Sequence, residues 1–306
     1  VLHEVKLIKE KWFFNLMRCP DCGGNLALAG TMFCGACQFS NLIGTDLRMQ
    51  SPSVACVSLT LPRKLSVDVA DLLQQIDTTK PTITFDGPAA LRDSRELMSE
   101  VADRLPSGGA ALDLGCGPRD QALPLGHLGF RYVGVDFSNP AADLLADAHS
   151  IPFKDGSFDC VFSYAVLEHL HNPFIALHEV ARVLKPGGWF IGTVSQGEPF
   201  HSSYFHHTPW ALVSLVAATP GLRLARLWDS VDTLQSLASM GRYSRVIKLM
   251  LAAVDWIARH FPWLAPRKMR WSDKEKQLDR LYRAGSVCFA IQSIPVNPVS
   301  SQICAE

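Results

Sequence analysis

Residues 112–121 read LDLGCGPRDQ, and the fold follows from how this stretch is understood. An apolar run meets an acid, Asp113, and then a glycine pair, Gly115 and Gly117, around Cys116. A strand that ends in a glycine-rich bend and enters a helix presents backbone N–H groups at the helix start, which cradles part of a nucleotide-like ligand. The dinucleotide pattern G-x-G-x-x-G is the nearest comparison. Here its third glycine position holds Asp120, and Arg119 stands where a small residue is usual. An acid at that position faces a pyrophosphate badly, and Asp113 adds a second one, so the bend favours a ligand with a positive end. Cys116 reads as a small packing residue, and Arg119 is expected to face solvent or to meet a carboxylate.

Outward from this bend the chain alternates strand and helix patterns. AALDLG, RYVGVD, DCVFSY and GWFIGTV are the strand candidates, and the alternation predicts an α/β fold with a mostly parallel, doubly wound sheet. A helical pattern from Ala89 to Leu105 precedes them, and LRLARLW (222–228) and SVCFAIQSI (286–294) read as a closing pair of strands. The expected organisation is a small module at 1–48, a linker at 49–85 with one short helix near 66–76, a main domain at 86–295 and a tail at 296–306. A helical insertion at 233–283 interrupts the main domain before its last strand.

The small module carries Cys19, Cys22, Cys34 and Cys37, that is, C-x2-C twice. Each pair can aim two thiolates at one ion, and four close a tetrahedral structural zinc site, a zinc ribbon, with no position left open for chemistry. Leu26–Leu28 and Met32–Phe33 suit the hairpin between the pairs. Lys plus Arg and Asp plus Glu are both 29, which counts against a dedicated nucleic-acid binder. No apolar run is long enough for a membrane span, residues 1–17 lack an apolar signal core, and the scattered thiols suit a reducing cytoplasm.

S-adenosylmethionine, with its ammonium and sulfonium, fits a bend lined by acids. Asp136 ends the next strand, where a carboxylate grips ribose hydroxyls in sheets of this kind. Asp147 can accept from an adenine amino group while the Ala148 N–H meets a ring nitrogen. Taken in order, LDLGCG, VGVD, DAHSIPFKDGSFDCVFSYAVLEHL and EVARVLKPGG resemble the class I S-adenosylmethionine-dependent methyltransferases over residues 86–196. The resemblance implies a Rossmann-like sheet of the methyltransferase type, seven-stranded. It places Asp113, Gly115 and Gly117 at the methionine part, Asp136 at the ribose, Asp147 and Ala148 at the adenine, and Ser163 and Tyr164 in the segment closing over the cofactor. The layout is also similar to that of large-subunit rRNA guanine methyltransferases, which carry a four-cysteine module before a class I domain. The ribbon itself resembles small activator proteins of tRNA and protein methyltransferases.

Methyl transfer from an activated donor asks the protein to align the acceptor and exclude water. A hydroxyl acceptor also needs a base, most often His. EHLH (168–171) and HSSYFHHTPW (201–210) concentrate the histidines. His206 and His207, with Tyr204, are the candidates for base or acceptor positioning, ahead of His169; His178 is expected on an exposed helix face. The expected acceptor is a small molecule or a sugar of a natural product or glycan. rRNA guanine is the alternative, and a non-catalytic scaffold is the third reading. Residues 243–271 pair an apolar helical face with cations and tryptophans, as in a lid over the acceptor, a membrane-surface helix or a contact surface for a partner or RNA.

Overall fold

The computed structural model describes residues 11–28, 31–42, 47–49, 65, 68–83, 92–197, 202–230, 232–234, 245–261 and 271–295. The expected tail at 296–306, and Trp263, Arg267, Lys268 and Arg270 of the insertion, lie outside them.

The main sheet has seven strands: β4 (Ala110–Leu114), β5 (Arg131–Asp136), β6 (Leu144–Leu145), β7 (Phe158–Tyr164), β8 (Leu184–Ser195), β9 (Leu222–Asp229) and β10 (Ser286–Ser293). Their order is β6-β5-β4-β7-β8-β10-β9. Strands β6, β5, β4, β7 and β8 pair in parallel, whereas β10 runs antiparallel to both β8 and β9. The doubly wound reading therefore holds, as do the closing strand pair and the late insertion. β4 is buried along its whole length, as a central strand covered on both faces must be. Alternation sorts its side chains: Leu112 and Leu114 join a core with Val133, Val135 and Phe190, while Ala111 faces Cys160, Phe162 and Ile191.

Helices α3 (Arg92–Arg104), α4 (Ala122–His127), α5 (Pro173–Val183), α6 (Pro209–Ala217) and α8 (Asp273–Tyr282) accompany this sheet; α1 (Lys11–Leu16) and α2 (Val69–Gln75) precede it, and α7 (Arg245–His260) lies in the insertion. Several start on side-chain caps that satisfy first-turn N–H groups. Asn172 accepts from Ile175 N, Thr208 accepts from Ala211 N, and Ser272 with Glu275 forms a reciprocal capping box. His178 on α5, expected to be exposed, is instead half-buried. Its Nε2 is enclosed without a hydrogen-bond partner among the described residues, and burial lowers its pKa.

Strands β1 (Leu26–Leu28), β2 (Thr31–Cys34) and β3 (Ser40–Leu42) form the small antiparallel sheet of the cysteine module, with the expected hairpin between the cysteine pairs. The module is seated on the main domain. Arg18 N donates to Pro152 O at 3.0 Å, Lys154 N donates to Leu16 O at 2.6 Å, and Ser150 Oγ donates to Pro20 O at 2.9 Å. Phe13 meets Phe153 edge-on, with ring centroids 6.0 Å apart.

Glu179, on α5 and 2% exposed, joins the two bodies. It accepts from Arg18 Nη2 at 3.3 Å, from Arg182 Nε and Nη2 at 2.7 Å each, and from Ile151 N at 2.7 Å. Arg182 also donates to the carbonyls of Ile151 and Phe153. The boundary expected at 48 falls inside Leu47–Met49, which pairs with β6: Leu145 N donates to Leu47 O and Met49 N to Leu145 O. Within the expected linker, Asp77 pairs with Arg226 of β9. No helix among the described residues is long and apolar enough to cross a membrane.

Removing the Glu179 carboxylate takes the buried acceptor from two guanidinium groups, leaving them the exposed Asp155 carboxylate, and strands Ile151 N at a closed seam. Glu179→Ala is expected to destabilise the protein by about 3–5 kcal/mol, read as a fall in the urea midpoint.

Candidate active site

The strand order turns back at β4: the chain passes through β5 and β6 on one side, then through β7 and β8 on the other. Open α/β sheets bind ligands at the carboxyl edge of such a switch, and a cavity of 550 Å³ opens there. Leu114, Gly115, Val135, Asp136, Asp147 and Ala148 form its inner wall. Phe137, Ser138, Ala146, His149, Ala165, Val166, His169, Leu170, His171 and Tyr204 line the rest of it.

The bend after β4 needs both glycines. Gly115 has φ +73°, and a Cβ there would lie 2.4 Å from Val166 Cγ2. Gly117 has φ +50° with open space beside it, so a ligand can approach its backbone. Gly115 N and Cys116 N donate to Val135 O at 2.8 and 2.9 Å, tying the bend to β5. Arg119 (φ 69°) and Ala165 (φ 55°) are the non-glycine residues with positive φ among those described. One closes the bend and the other lines the cavity, in keeping with backbone strain concentrating at working sites.

Four acids gather at this edge. Asp136 lines the cavity and accepts from Gly117 N at 2.9 Å, Ser138 N at 2.9 Å and Asn139 N at 2.8 Å. Asp147 also lines it, accepting from His149 N at 2.9 Å and pairing with His149 Nδ1 at 2.6 Å. Burial alone would raise the Asp147 pKa, but the His149 contacts outweigh it and the net shift is downward.

Asp113 is 1% exposed and sits behind the bend, accepting from Tyr132 Oη at 2.7 Å; it is not among the groups that line the cavity. Burial pushes its pKa up to about 7 against the opposing Tyr132 hydrogen bond. Asp143 takes Arg119 Nη1 at 2.5 Å and Gly134 N at 2.8 Å, and burial raises its pKa too. Arg119 thus meets a carboxylate, that of Asp143, and its guanidinium also lies 5.2 Å from the Tyr132 ring centroid. Cys116 is buried with its thiol pKa pushed up by that burial, which fits packing and not nucleophilic attack.

Gly115, Asp136, Asp147 and Ala148 therefore come together in one cavity. Ser163 and Tyr164 do not line it: Ser163 is fully buried, and Tyr164 Oη donates to Asp93 Oδ1 at 2.9 Å. The next residues, Ala165 and Val166, take the wall instead. Of the acceptor-side candidates, Tyr204 lines the cavity and is exposed. His206 is exposed with Nδ1 3.1 Å from Gln196 O. His207 is 3% exposed, burial lowers its pKa, and its Nε2 lacks a hydrogen-bond partner among the described residues. His169 lines the cavity, with Nδ1 2.7 Å from Ser202 O. Donation to that carbonyl leaves Nε2 as the basic nitrogen.

The four cysteine sulfurs of the ribbon all lie within 4.8 Å of one another. Cys19 and Cys37 Sγ are 3.5 Å apart, as are Cys22 and Cys34 Sγ. Ala36 N and Phe39 N donate to the sulfurs of Cys34 and Cys37. This donor set fits a tetrahedral ion such as zinc.

Residues 112–192 match the methyltransferase domain family. The chain is 33% identical over 173 residues to an uncharacterised 37.1 kDa protein in a transposon of Streptomyces fradiae, covering 50% of this chain and 45% of that protein. It is 35% identical over 124 residues to a tRNA (carboxymethyluridine(34)-5-O)-methyltransferase of Arabidopsis thaliana, covering 37% and 30%. It is 32% identical over 108 residues to a ubiquinone biosynthesis O-methyltransferase of Burkholderia vietnamiensis, covering 29% and 46%. The matched segment thus spans less than half the length of each relative. The methyltransferase match falls on residues 112–192, the part of the chain that holds the strand-order switch, the glycine bend and most of the carboxylate-lined cavity.

Proposed function

We propose that the protein transfers a methyl group from S-adenosylmethionine to a small-molecule or sugar acceptor. The observation that carries this reading is the cavity at the carboxyl ends of β4 and β5, with Asp136 and Asp147 on its inner wall and Phe137, Leu170 and Tyr204 also lining it. Its 550 Å³ falls in the range of small-ligand sites. Asp136 offers its remaining lone pairs to ribose hydroxyls. Asp147 and the Ala148 N–H address the adenine edge, and the bare Gly115–Gly117 backbone accommodates the methionine part, with the Asp113 charge behind it. The cofactor, when bound, supplies the activated methyl group. The chain's own residues hold an acceptor in line and keep water out. Tyr204, His169 and His171 are side chains on the cavity wall that can position an acceptor or take its proton, whereas His207 is buried behind them.

Two of the relatives named above are a tRNA (carboxymethyluridine(34)-5-O)-methyltransferase and a ubiquinone biosynthesis O-methyltransferase, so kinship does not choose between RNA and small molecules. Charge does favour the second: the stretch from 11 to 42 holds only Lys11 and Arg18 against Asp21, too little to follow a phosphate backbone. We further propose that Cys19, Cys22, Cys34 and Cys37 hold one structural zinc, which keeps Pro20 in place beneath Ser150.

The decisive experiment offers radiolabelled cofactor with a small-molecule and sugar extract in one arm and total RNA in the other. Label is expected in the first arm, and label confined to RNA would replace this reading with the rRNA alternative. Asp136→Ala is expected to weaken cofactor binding by about 10- to 100-fold with an unchanged circular dichroism spectrum. Unchanged binding in calorimetry, or no binding by the parent protein, would remove the catalytic reading.

The raised Asp113 pKa has a definite sign. The native state holds a proton that the unfolded state releases at about pH 4, so this group's contribution to stability falls as pH rises from about 4 to about 7 and then levels. Asp113→Asn is expected to gain stability relative to the parent between about pH 5 and about pH 8, seen in urea midpoints. A cation brought beside Asp113 favours its charged form, so cofactor affinity of the parent is expected to grow with pH through neutrality, and that dependence is expected to flatten in the variant.

Chelating the ribbon metal is expected to release about one zinc per chain, to lower the melting temperature and to weaken cofactor binding, because Ser150 and Arg18 lose their footing. Elemental analysis that finds no metal in protein purified without chelator contradicts the zinc assignment.

A further inference from the structure

Helix α7 belongs to the segment read from sequence as a lid, a membrane-surface helix or a partner contact, and only the lid needs its apolar face packed inward. In the structure that face is exposed: Val246 is 66%, Leu249 71%, Met250 63%, Val254 53% and Ile257 42% accessible. These residues recur at helical spacing on one side of the 16-residue helix. Trp256, 53% exposed, stacks on His260 at 4.7 Å. An exposed row of large apolar side chains along a whole helix marks a contact surface.

Charge identifies the contact. Between residues 243 and 271 there are six Lys or Arg (Arg245, Lys248, Arg259, Arg267, Lys268, Arg270) and one acid, Asp255, which leaves 23 Lys or Arg against 28 Asp or Glu for the remainder of a chain that balances overall. The segment is thus cationic on an otherwise acidic protein. A second copy of the chain would bring the same positive segment against itself. A nucleic acid would answer the cations but leave the apolar row in water. An anionic bilayer surface answers both, with acyl chains beneath the headgroups for the apolar row and lipid phosphates for the cations. We propose that α7 docks the protein, lying in the interface plane, on membranes rich in anionic lipid.

The insertion departs from the catalytic edge of the sheet. Thr233 N, at its start, donates to Arg283 O, and Gly197 N, just after β8, donates to Gly285 O. Both roots of the insertion therefore sit at the carboxyl end of β8, the edge on which the cavity opens. Docking through α7 tethers the protein by a segment rooted at that edge. The docking claim does not depend on which acceptor is methylated.

The test is flotation of the full chain with vesicles of pure phosphatidylcholine and with vesicles of equal parts phosphatidylcholine and phosphatidylglycerol. Binding is expected only to the anionic vesicles, weakening as salt is raised, with a blue shift of tryptophan emission. The paired substitution Leu249→Glu and Val254→Glu is expected to lower vesicle binding by at least about tenfold while leaving cofactor affinity and melting temperature as in the parent. Failure of the parent to bind anionic vesicles overturns the proposal, as does undiminished binding by the variant. A parent that sediments as a dimer, binds no vesicles and becomes monomeric in the variant assigns the face to self-association instead. Binding of RNA but not vesicles assigns it to nucleic acid.

Discussion

The site rests on crowded carboxylates, two of which, Asp113 and Asp143, burial makes costly to charge. The ends of β4 and β5 and the bends that follow them bring Asp113, Asp136 and Asp143 into one corner, and Arg119 supplies the cation there by pairing with Asp143. Asp136 is sustained by three backbone N–H groups. Asp113 has the Tyr132 hydroxyl, and its burial is what makes the charged form costly. A corner built this way is under electrostatic tension until something positive arrives, and the glycine bend in front of it leaves room for that arrival. The parallel sheet, the switch in strand order and the positive-φ bend all serve to set carboxylates and open backbone side by side.

The architecture was legible because its signals are local and repeated. LDLG, VGVD and DCVFSY each announce a buried strand, and the turn residues between them leave one way to connect strands in parallel. The paired cysteines were equally readable, since two C-x2-C units at hairpin spacing have few other uses. The seating of the ribbon was not. It depends on Arg18, Ser150 and Glu179, which are ordinary polar residues in sequence and acquire meaning only when chain segments 161 residues apart meet.

Of the residues named from sequence, those named by backbone logic lie on the cavity wall more often than those named by chemistry. Gly115, Asp136, Asp147 and Ala148 line the cavity because strand ends and bends put them there. Tyr132 and Asp143 carried no signal, since a tyrosine in a strand and an acid in a loop are common. Arg119 was conspicuous, and an arginine at φ 69° is held there by a partner 24 residues further on that its spacing does not announce. Ser163 and Tyr164 were placed by analogy of position. In the chain itself Tyr164 turns to Asp93, and the wall begins one residue later. Among the histidines, type and clustering could not separate His169, at the wall, from His207, packed behind it.

The two outermost strands of the main sheet have a property in common. Beside β6 lies Leu47–Met49, and beside β9 lies Asp77 with its neighbours. Both belong to the chain ahead of the domain, so a single preceding segment occupies both borders of a seven-stranded sheet. Bare borders offer rows of unpaired N–H and C=O groups to any other strand in solution. A fragment that begins after residue 83 and keeps β4 to β10 would expose both at once, and its insolubility would reflect the missing covers and not a defect in the core.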